Sequence, residues 1–346
     1  MNEKKILVTG GCGFIGSNFI RILLSEEQSY FNINKVINLD KLTYAGDEIN
    51  NANYVNNSKY ELVVGDIGDE GLIKDILVNE QIDIIVNFAA ESHVDNSIES
   101  PGEFIKTNIN GTYNLLQQSN KIYQEKDKNI IFLHVSTDEV YGSLSSNEAG
   151  FTETNRFKPN SPYSASKAAS DHLVRSWYKT YGLPTLITNC SNNYGPNQNQ
   201  EKLIPKIIFN AINLEPIPVY GDGLNVRDWL FVDDHCKAIL EVLRSNRFGE
   251  TFNIGGLNEI KNIDIVNIIC EYLEDEFPIS KNIKNNRNLN SYKELITFVE
   301  DRPGHDFRYA IDATKIESNL GWTPNETFDS GIKKTIKWYL NSFLCS

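Results

Sequence analysis

A doubly wound α/β fold, in which helices cover both faces of a parallel sheet and a smaller C-terminal region follows, is what this sequence predicts. Three observations point there. Short apolar runs alternate with helical patterns through the first half. The runs are continuous, as in strands buried on both faces. A glycine-rich turn joins the first run to the first helix.

In chain order, strands are expected at residues 5–9, 35–40, 60–66, 82–89 and 130–136, with a first helix from about Phe14 to Leu24. Such alternation implies right-handed βαβ units. Ile84-Ile85-Val86-Asn87-Phe88 and Ile130-Ile131-Phe132-Leu133 leave no polar face, which favours a parallel sheet over a meander. Beyond Pro196 the pattern loosens into Pro- and Asn-containing loops, with a helix expected over 204–212 and strands over 217–220 and 251–254. The polar stretch 281–291 reads as a surface loop.

Composition narrows the function. Hydrophobic residues at 40% and charged residues at 23% are a globular balance. Thirty-three Lys and Arg against 46 Asp and Glu leave a net charge of -13, a field that repels polyanions, so neither nucleic acid nor an anionic membrane is an expected partner. The first residues run directly into a strand, which leaves no room for a signal peptide. Cys12, Cys190, Cys236, Cys270 and Cys345 contain no C-x-x-C pair, so reduced thiols and a cytoplasmic location are expected. No metal site is readable.

Gly10, Gly13 and Gly16 stand at three-residue spacing between the first strand and Phe14-Ile15 of the first helix. Glycines there permit a tight turn and close approach to a pyrophosphate, and the helix N-terminus offers unpaired N–H groups. Turn geometry alone is the alternative role. Asp40 ends the next strand 24 residues after Gly16, near the spacing at which a carboxylate accepts from an adenosine ribose. A carboxylate repels a 2′-phosphate, so NAD is expected over NADP. An Asp that merely initiates a turn is the other reading of Asp40. Gly65-Asp66-Ile67, closing the third strand, either flanks the adenine or forms a Gly-Asp turn that holds no ligand.

Tyr163 and Lys167 share one helix face four residues apart, so the lysine charge is expected to lower the phenol pKa and make a tyrosine base usable near neutral pH. Alone, Y-x-x-x-K is a common pattern. Behind a dinucleotide loop and the strand-end Ser136-Thr137, it points to hydride transfer at a secondary alcohol. Asp138-Glu139 between them reads alone as a solvent-facing or helix-capping pair.

Together these features resemble the extended short-chain dehydrogenase/reductase family. Ser136-Thr137-Asp138-Glu139-Val140-Tyr141-Gly142 resembles the signature of its nucleotide-sugar 4,6-dehydratases, supported by the runs 40–46, 89–95, 192–196, 201–205 and 301–306. The resemblance spans essentially the whole chain. It implies NAD as cofactor and a nucleoside diphosphate sugar, dTDP-glucose, as substrate, with UDP-glucose or 4-epimerisation as the alternatives. It implies that Tyr163 takes the C4 hydroxyl proton, Glu139 the C5 proton, and that Asp138, held protonated, donates to the departing C6 hydroxyl. Thr137 then hydrogen-bonds the C4 oxygen. Two neighbouring carboxyls with separated pKa values suit that chemistry.

By the same resemblance, the cofactor contacts are Gly10, Gly13, Phe14, Ile15, Gly16, Asp40, Lys41, Leu42, Thr43, Asp66, Ile67, Ala89, Ala90, Ser92, Thr107, Tyr163, Lys167 and Asn193. The substrate contacts are Ser92, His93, Thr137, Asn192, Lys202, Leu203, Pro218, Tyr220, Arg227, Asn262, Arg302 and His305. A surface ion pair with Asp222 or Asp228 is the alternative for Arg227, and a packed imidazole the alternative for His305. Asn96 stands where the family more often has Arg, and Cys12 where it has Ala. A homodimer through helices near 107–119 and 164–178 is also implied, although core packing explains amphipathic helices equally well. The expected division is a Rossmann domain over 1–195, binding NAD and carrying the catalytic residues, and a region over 196–346 that mainly binds substrate, with some segments returning to the first domain.

Overall fold

The computed structural model describes residues 3–25, 29–126, 129–285, 289–301 and 304–344. The first part runs β1 (Lys4–Thr9), α1 (Phe14–Leu23), β2 (Ile33–Asp40), β3 (Tyr60–Val64), α2 (Glu70–Asn79), β4 (Ile84–Asn87), α3 (Val94–Glu99), α4 (Pro101–Phe104), α5 (Thr112–Lys126), β5 (Ile131–Thr137), α6 (Pro162–Tyr181) and β6 (Thr185–Cys190). Then follow β7 (Asn192–Tyr194), α7 (Leu203–Asn213), β8 (Ile217–Tyr220), β9 (Val226–Phe231), α8 (Val232–Ser245), β10 (Thr251–Ile254), β11 (Glu259–Lys261), α9 (Asn262–Glu276), β12 (Ile296–Val299), α10 (Thr314–Leu320) and α11 (Phe328–Leu344).

Seven strands make one parallel sheet in the order β10-β6-β5-β4-β1-β2-β3. The alternation of β1 shows why both faces are dry. Ile6 and Val8 pack with Phe19 and Ile20 of α1 and Leu240 of α8, whereas Leu7 packs on the other face with Leu115 of α5 and Val174 of α6. Chain order reverses between β1 and β4, so their carboxyl ends open a crevice, the place where such sheets bind ligands.

Beyond residue 196, a second core gathers around α7, α9 and α11 with β8 and β9. This half does not stand apart: α8 packs on α1, β10 pairs with β6, and α10 packs against β10. Two smaller sheets, β11-β9-β7 and β12-β8, accompany it, the first bringing Asn192 and Asn193 of β7 to the crevice.

Local chemistry sets the helix that matters most. Ser161 caps α6 through a capping box with Ser164, and Pro162 occupies the first turn, where no N–H is needed. The helix ends at Gly182, whose φ of 74° suits the left-handed cap and whose N–H donates to the Tyr178 carbonyl. Between α4 and α5, residues Ile105–Gly111 form a π-helical turn.

The third strand is shorter than expected: it stops at Val64 because Asp66 turns the chain, accepting from Gly68 N at 2.8 Å. The expected surface loop over 281–291 holds among its described residues, with Ile283 99% exposed, and asparagine side chains pin it: Asn282 is buried and donates to the Ile212 carbonyl at 2.8 Å, and Asn285 and Leu289 bond each other twice. Residues 286–288 lie outside the described residues.

Gly16 lies where a Cβ would fall 2.3 Å from the Gly10 carbonyl oxygen, a backbone atom that cannot move aside. The Gly16→Ala variant is therefore expected to lose about 1–3 kcal/mol of stability, the usual cost of overpacking, in urea unfolding followed by circular dichroism.

Candidate active site

A cleft of about 300 Å³ lies along the carboxyl ends of β1, β2, β4, β5 and β6. Gly10, Gly13, Phe14, Ile15 and Gly16 form one wall, where no side chain caps α1 and its first turn holds no acidic residue. That N-terminus keeps N–H donors and a positive dipole end, which fits a pyrophosphate. Gly10, with φ of 68°, lets the loop pass the β4 end so closely that a Cβ would sit 2.7 Å from Ala89 N.

Asp40 organises the same wall. Its Oδ2 accepts from Cys12 N and its Oδ1 from Leu42 N, each at 2.8 Å, so the carboxylate joins the glycine loop to the β2 end while still lining the cleft. Leu42, with φ of 54°, is part of this turn and does not line the cleft. Lys41 and Thr43 do line it, and Lys41 pairs with Asp66 at 2.9 Å. Ile67, Ala89, Ala90, Ser92 and Thr107 complete this half. The buried Cys12 faces away, its sulfur accepting from Asn38 Nδ2 at 3.3 Å, and burial pushes its thiol up to about 11.

At the other half, Thr137, Asp138 and Glu139 leave the end of β5 opposite Tyr163 and Lys167 of α6. Asp138 is 2% exposed, Oδ2 has no hydrogen-bond partner among the described residues, and Oδ1 accepts from Thr137 Oγ1 at 3.3 Å. Burial, then Glu139 and Asp228, hold its carboxyl well above the usual range, with Arg227 opposing. The shift favours the protonated form of Asp138. Glu139 is only half-buried.

Lys167 is 3% exposed and donates to the Val135 carbonyl at 2.8 Å. Burial pulls its ammonium down to about 8, against the pull of Asp171. The expectation that Lys167 lowers the Tyr163 phenol is not met in the protein alone. Burial, followed by Glu139, pushes that phenol well above its ordinary value, and a hydrogen bond to Thr137 opposes them. Spacing placed the lysine correctly, but desolvation outweighs a charge that is itself weakened by burial.

The expected substrate contacts divide. Ser92, Thr137, Asn192 and Lys202 line the cleft, where Lys202 Nζ donates to the Ser92 carbonyl at 2.9 Å. Asn193 also lines it, steered by His235 Nδ1 at 2.9 Å. His93, Leu203, Pro218, Tyr220, Arg227, Asn262 and His305 are not among the residues of the cleft wall. His93 caps α3, accepting from the backbone N–H of Asn96. Leu203 packs on the second core. Pro218 and Tyr220 sit on β8, and the Tyr220 ring meets His305 edge-on at 6.5 Å. His305 Nδ1 lies 2.6 Å from Asp301. Asn262 opens α9 with Oδ1 buried and unpartnered among the described residues. Arg302 lies outside the described residues.

Arg227 is buried, donates to the Val226, Phe307 and Asp306 carbonyls, and stacks on Tyr309 at 4.4 Å. Its charge reaches Asp138. Sequence reading missed Tyr309, whose phenol burial and Glu139 push up, and missed Glu91, Cys190, Ser191, Gln198 and Asn199 in the cleft wall. The carboxyl end of β6 was a usable signal for Cys190 and Ser191. Nothing local marks the others.

Comparison with known proteins agrees with this geometry. Residues 7–335 match the family described as GDP-mannose 4,6 dehydratase. The chain is 50% identical over 343 residues to the dTDP-glucose 4,6-dehydratase of Neisseria meningitidis serogroup B, covering 98% of this chain and 94% of that one. It is 50% identical over 350 residues to a dTDP-glucose 4,6-dehydratase of Escherichia coli, covering 98% and 94%. A crystal structure of dTDP-glucose 4,6-dehydratase from Streptomyces venezuelae with NAD bound superposes with a TM-score of 0.88 at 43% identity, covering 97% and 96%.

Asp40→Ala strips two backbone N–H groups of their acceptor, so urea unfolding is expected to show a loss of about 1–3 kcal/mol. Asp40→Asn, which keeps one acceptor oxygen, is expected to lose less.

Proposed function

The chain belongs to the GDP-mannose 4,6 dehydratase family, and from that membership we propose that it removes water from dTDP-glucose to give dTDP-4-keto-6-deoxyglucose, with NAD as cofactor. The observation that carries the reading is Asp138, a buried carboxyl with one oxygen unpartnered among the described residues and its proton favoured by burial, next to the more exposed Glu139 and facing Tyr163. Simple oxidation or 4-epimerisation has no use for an acid beside a base.

The reaction divides among these residues. NAD supplies the acceptor for the C4 hydrogen and its donor to C6. Tyr163 takes the C4 hydroxyl proton while Thr137 holds the oxygen. The C4 ketone acidifies C5, from which Glu139 removes the proton. Asp138 gives its own proton to the C6 hydroxyl, which leaves as water, and Glu139 returns a proton to C5 as C6 is reduced. Bound NAD would supply positive charge that opposes the desolvation of the Tyr163 phenol. Lys202, which lines the cleft, meets the diphosphate.

The enzyme acts as a homodimer through the helices near 107–119 and 164–178, where Tyr113 remains 47% exposed. Among the described residues no helix is long and apolar enough to cross a membrane, and four cysteines are free and buried, which supports a cytoplasmic enzyme.

With dTDP-glucose deuterated at C4, the product is expected to have lost one water and to carry the label at C6, read by mass spectrometry and NMR. Unchanged mass with inverted C4 would instead mean epimerisation. UDP-glucose is expected to turn over more slowly. The Glu139→Gln variant is expected to accumulate a 4-keto sugar that retains its 6-hydroxyl, detected by rapid quench, with water loss slowed by about a hundredfold or more.

A further inference from the structure

Behind Lys167 lies a closed set of polar side chains that the dehydration steps leave unused. Thr9 of β1, Asn87 of β4, His134 of β5, Asp171 of α6 and Asn189 of β6 are each at most 2% exposed. Buried polar groups of this kind persist only when their bonds are arranged in detail.

The arrangement fixes a tautomer. Ala89 N–H donates to Thr9 Oγ1 at 3.3 Å, and Thr9 donates its single proton to Asn87 Oδ1 at 2.6 Å. Turning the Asn87 amide over would leave that hydroxyl proton without this acceptor. Asn87 Nδ2 therefore lies toward His134 Nδ1, at 3.1 Å, and Thr112 Oγ1, at 3.3 Å. An amide nitrogen only donates, so Nδ1 accepts and the proton of the neutral ring sits on Nε2. Burial, then Lys167, pull the His134 imidazolium well down, so the ring stays neutral.

His134 Nε2 stands 3.4 Å from Lys167 Nζ and 3.6 Å from Asp171 Oδ1. An ammonium offers no lone pair to an N–H, so the Nε2 proton is drawn to the carboxylate. Asp171 Oδ2 accepts from Asn189 Nδ2 at 3.1 Å. Asp171 follows Lys167 on α6 by the same four residues that separate Lys167 from Tyr163.

We propose that Asp171 is the buried counter-ion of Lys167 and that His134, held protonated on Nε2, turns that N–H toward the Asp171 carboxylate from 3.6 Å, making both positioning residues that keep Lys167 cationic where Tyr163 must work. The inference rests on Tyr163 and Lys167 being the oxidation pair. Other titratable groups facing this cluster leave room for that role. Cys190 on β6 is held neutral, its thiol pushed by burial up to about 12. Tyr141, from the turn after β5, has a phenol raised by burial and by Glu153 and Asp171. From the segment between α4 and α5, Asn108 reaches Ser166 at 2.8 Å and brings no charge, and Phe104 of α4 meets the Tyr163 ring edge-on. Asp171 is thus the carboxylate set against Lys167, with burial raising it to about 7 and Lys167 opposing.

The test is the pH profile of kcat for wild type, Asp171→Asn and His134→Gln holoenzymes acting on dTDP-glucose. Without its counter-ion Lys167 loses its proton at lower pH, so the alkaline limb is expected to fall by about one pH unit in Asp171→Asn. It is expected to fall by less in His134→Gln. An alkaline limb that stays in place while kcat drops equally at every pH would mean mere packing and overturn the proposal. If wild type forms no 4-keto-6-deoxy product, the functional reading fails instead. Nitrogen-15 NMR of histidine-labelled wild type needs neither variant nor turnover. It is expected to show His134 with Nδ1 bare and Nε2 protonated from mildly acidic to alkaline pH, and a Nδ1-protonated or doubly protonated ring would overturn the account.

Discussion

Removing Asp138 from water is the constraint on which the rest of the site depends. A carboxyl without solvent and with one oxygen unpartnered holds its proton, and the site needs a proton held ready at that place. Everything around it serves the same desolvation. The β5 strand carries it to the carboxyl end of the sheet, and α6 closes one side. Glu139, one residue on, stays partly in contact with water, so two adjacent carboxyls come to differ without any special chemistry of their own.

The same low-dielectric environment works against Lys167 and Tyr163, whose charged forms it disfavours. A buried cation of that kind needs a partner, and the polar chain from Thr9 to Asp171 supplies one from behind the sheet. The parallel sheet makes this possible because the ends of β1, β4, β5 and β6 bring side chains from residues 9, 87, 134 and 189 to one place. On the far side of the crevice Asp40 does the comparable task for the glycine loop, with backbone N–H groups in place of a cation.

Much of this was legible in the sequence where the signal is local. The glycine spacing, the strand-end Asp40 and the four-residue step from Tyr163 to Lys167 each encode geometry within one turn or one helix, and each lies where the spacing places it. The Asp138-Glu139 pair was legible only through resemblance, since acidic neighbours in a loop usually face solvent; their difference in burial is a tertiary fact. Tyr309, Gln198 and the His134–Asp171 contact were illegible for the same reason, being made by strands and loops far apart in the chain. The polar run 281–291 was legible as a loop, but composition cannot distinguish asparagines that face water from those, such as Asn282, that bind backbone.

The central claim is that Asp138 holds a proton near neutral pH. Difference infrared spectroscopy of the wild-type holoenzyme against Asp138→Asn reads this directly. The account predicts a protonated-carboxyl absorption in wild type that disappears in the variant. A wild-type spectrum with no such absorption, or one that survives unchanged in Asp138→Asn, would contradict it.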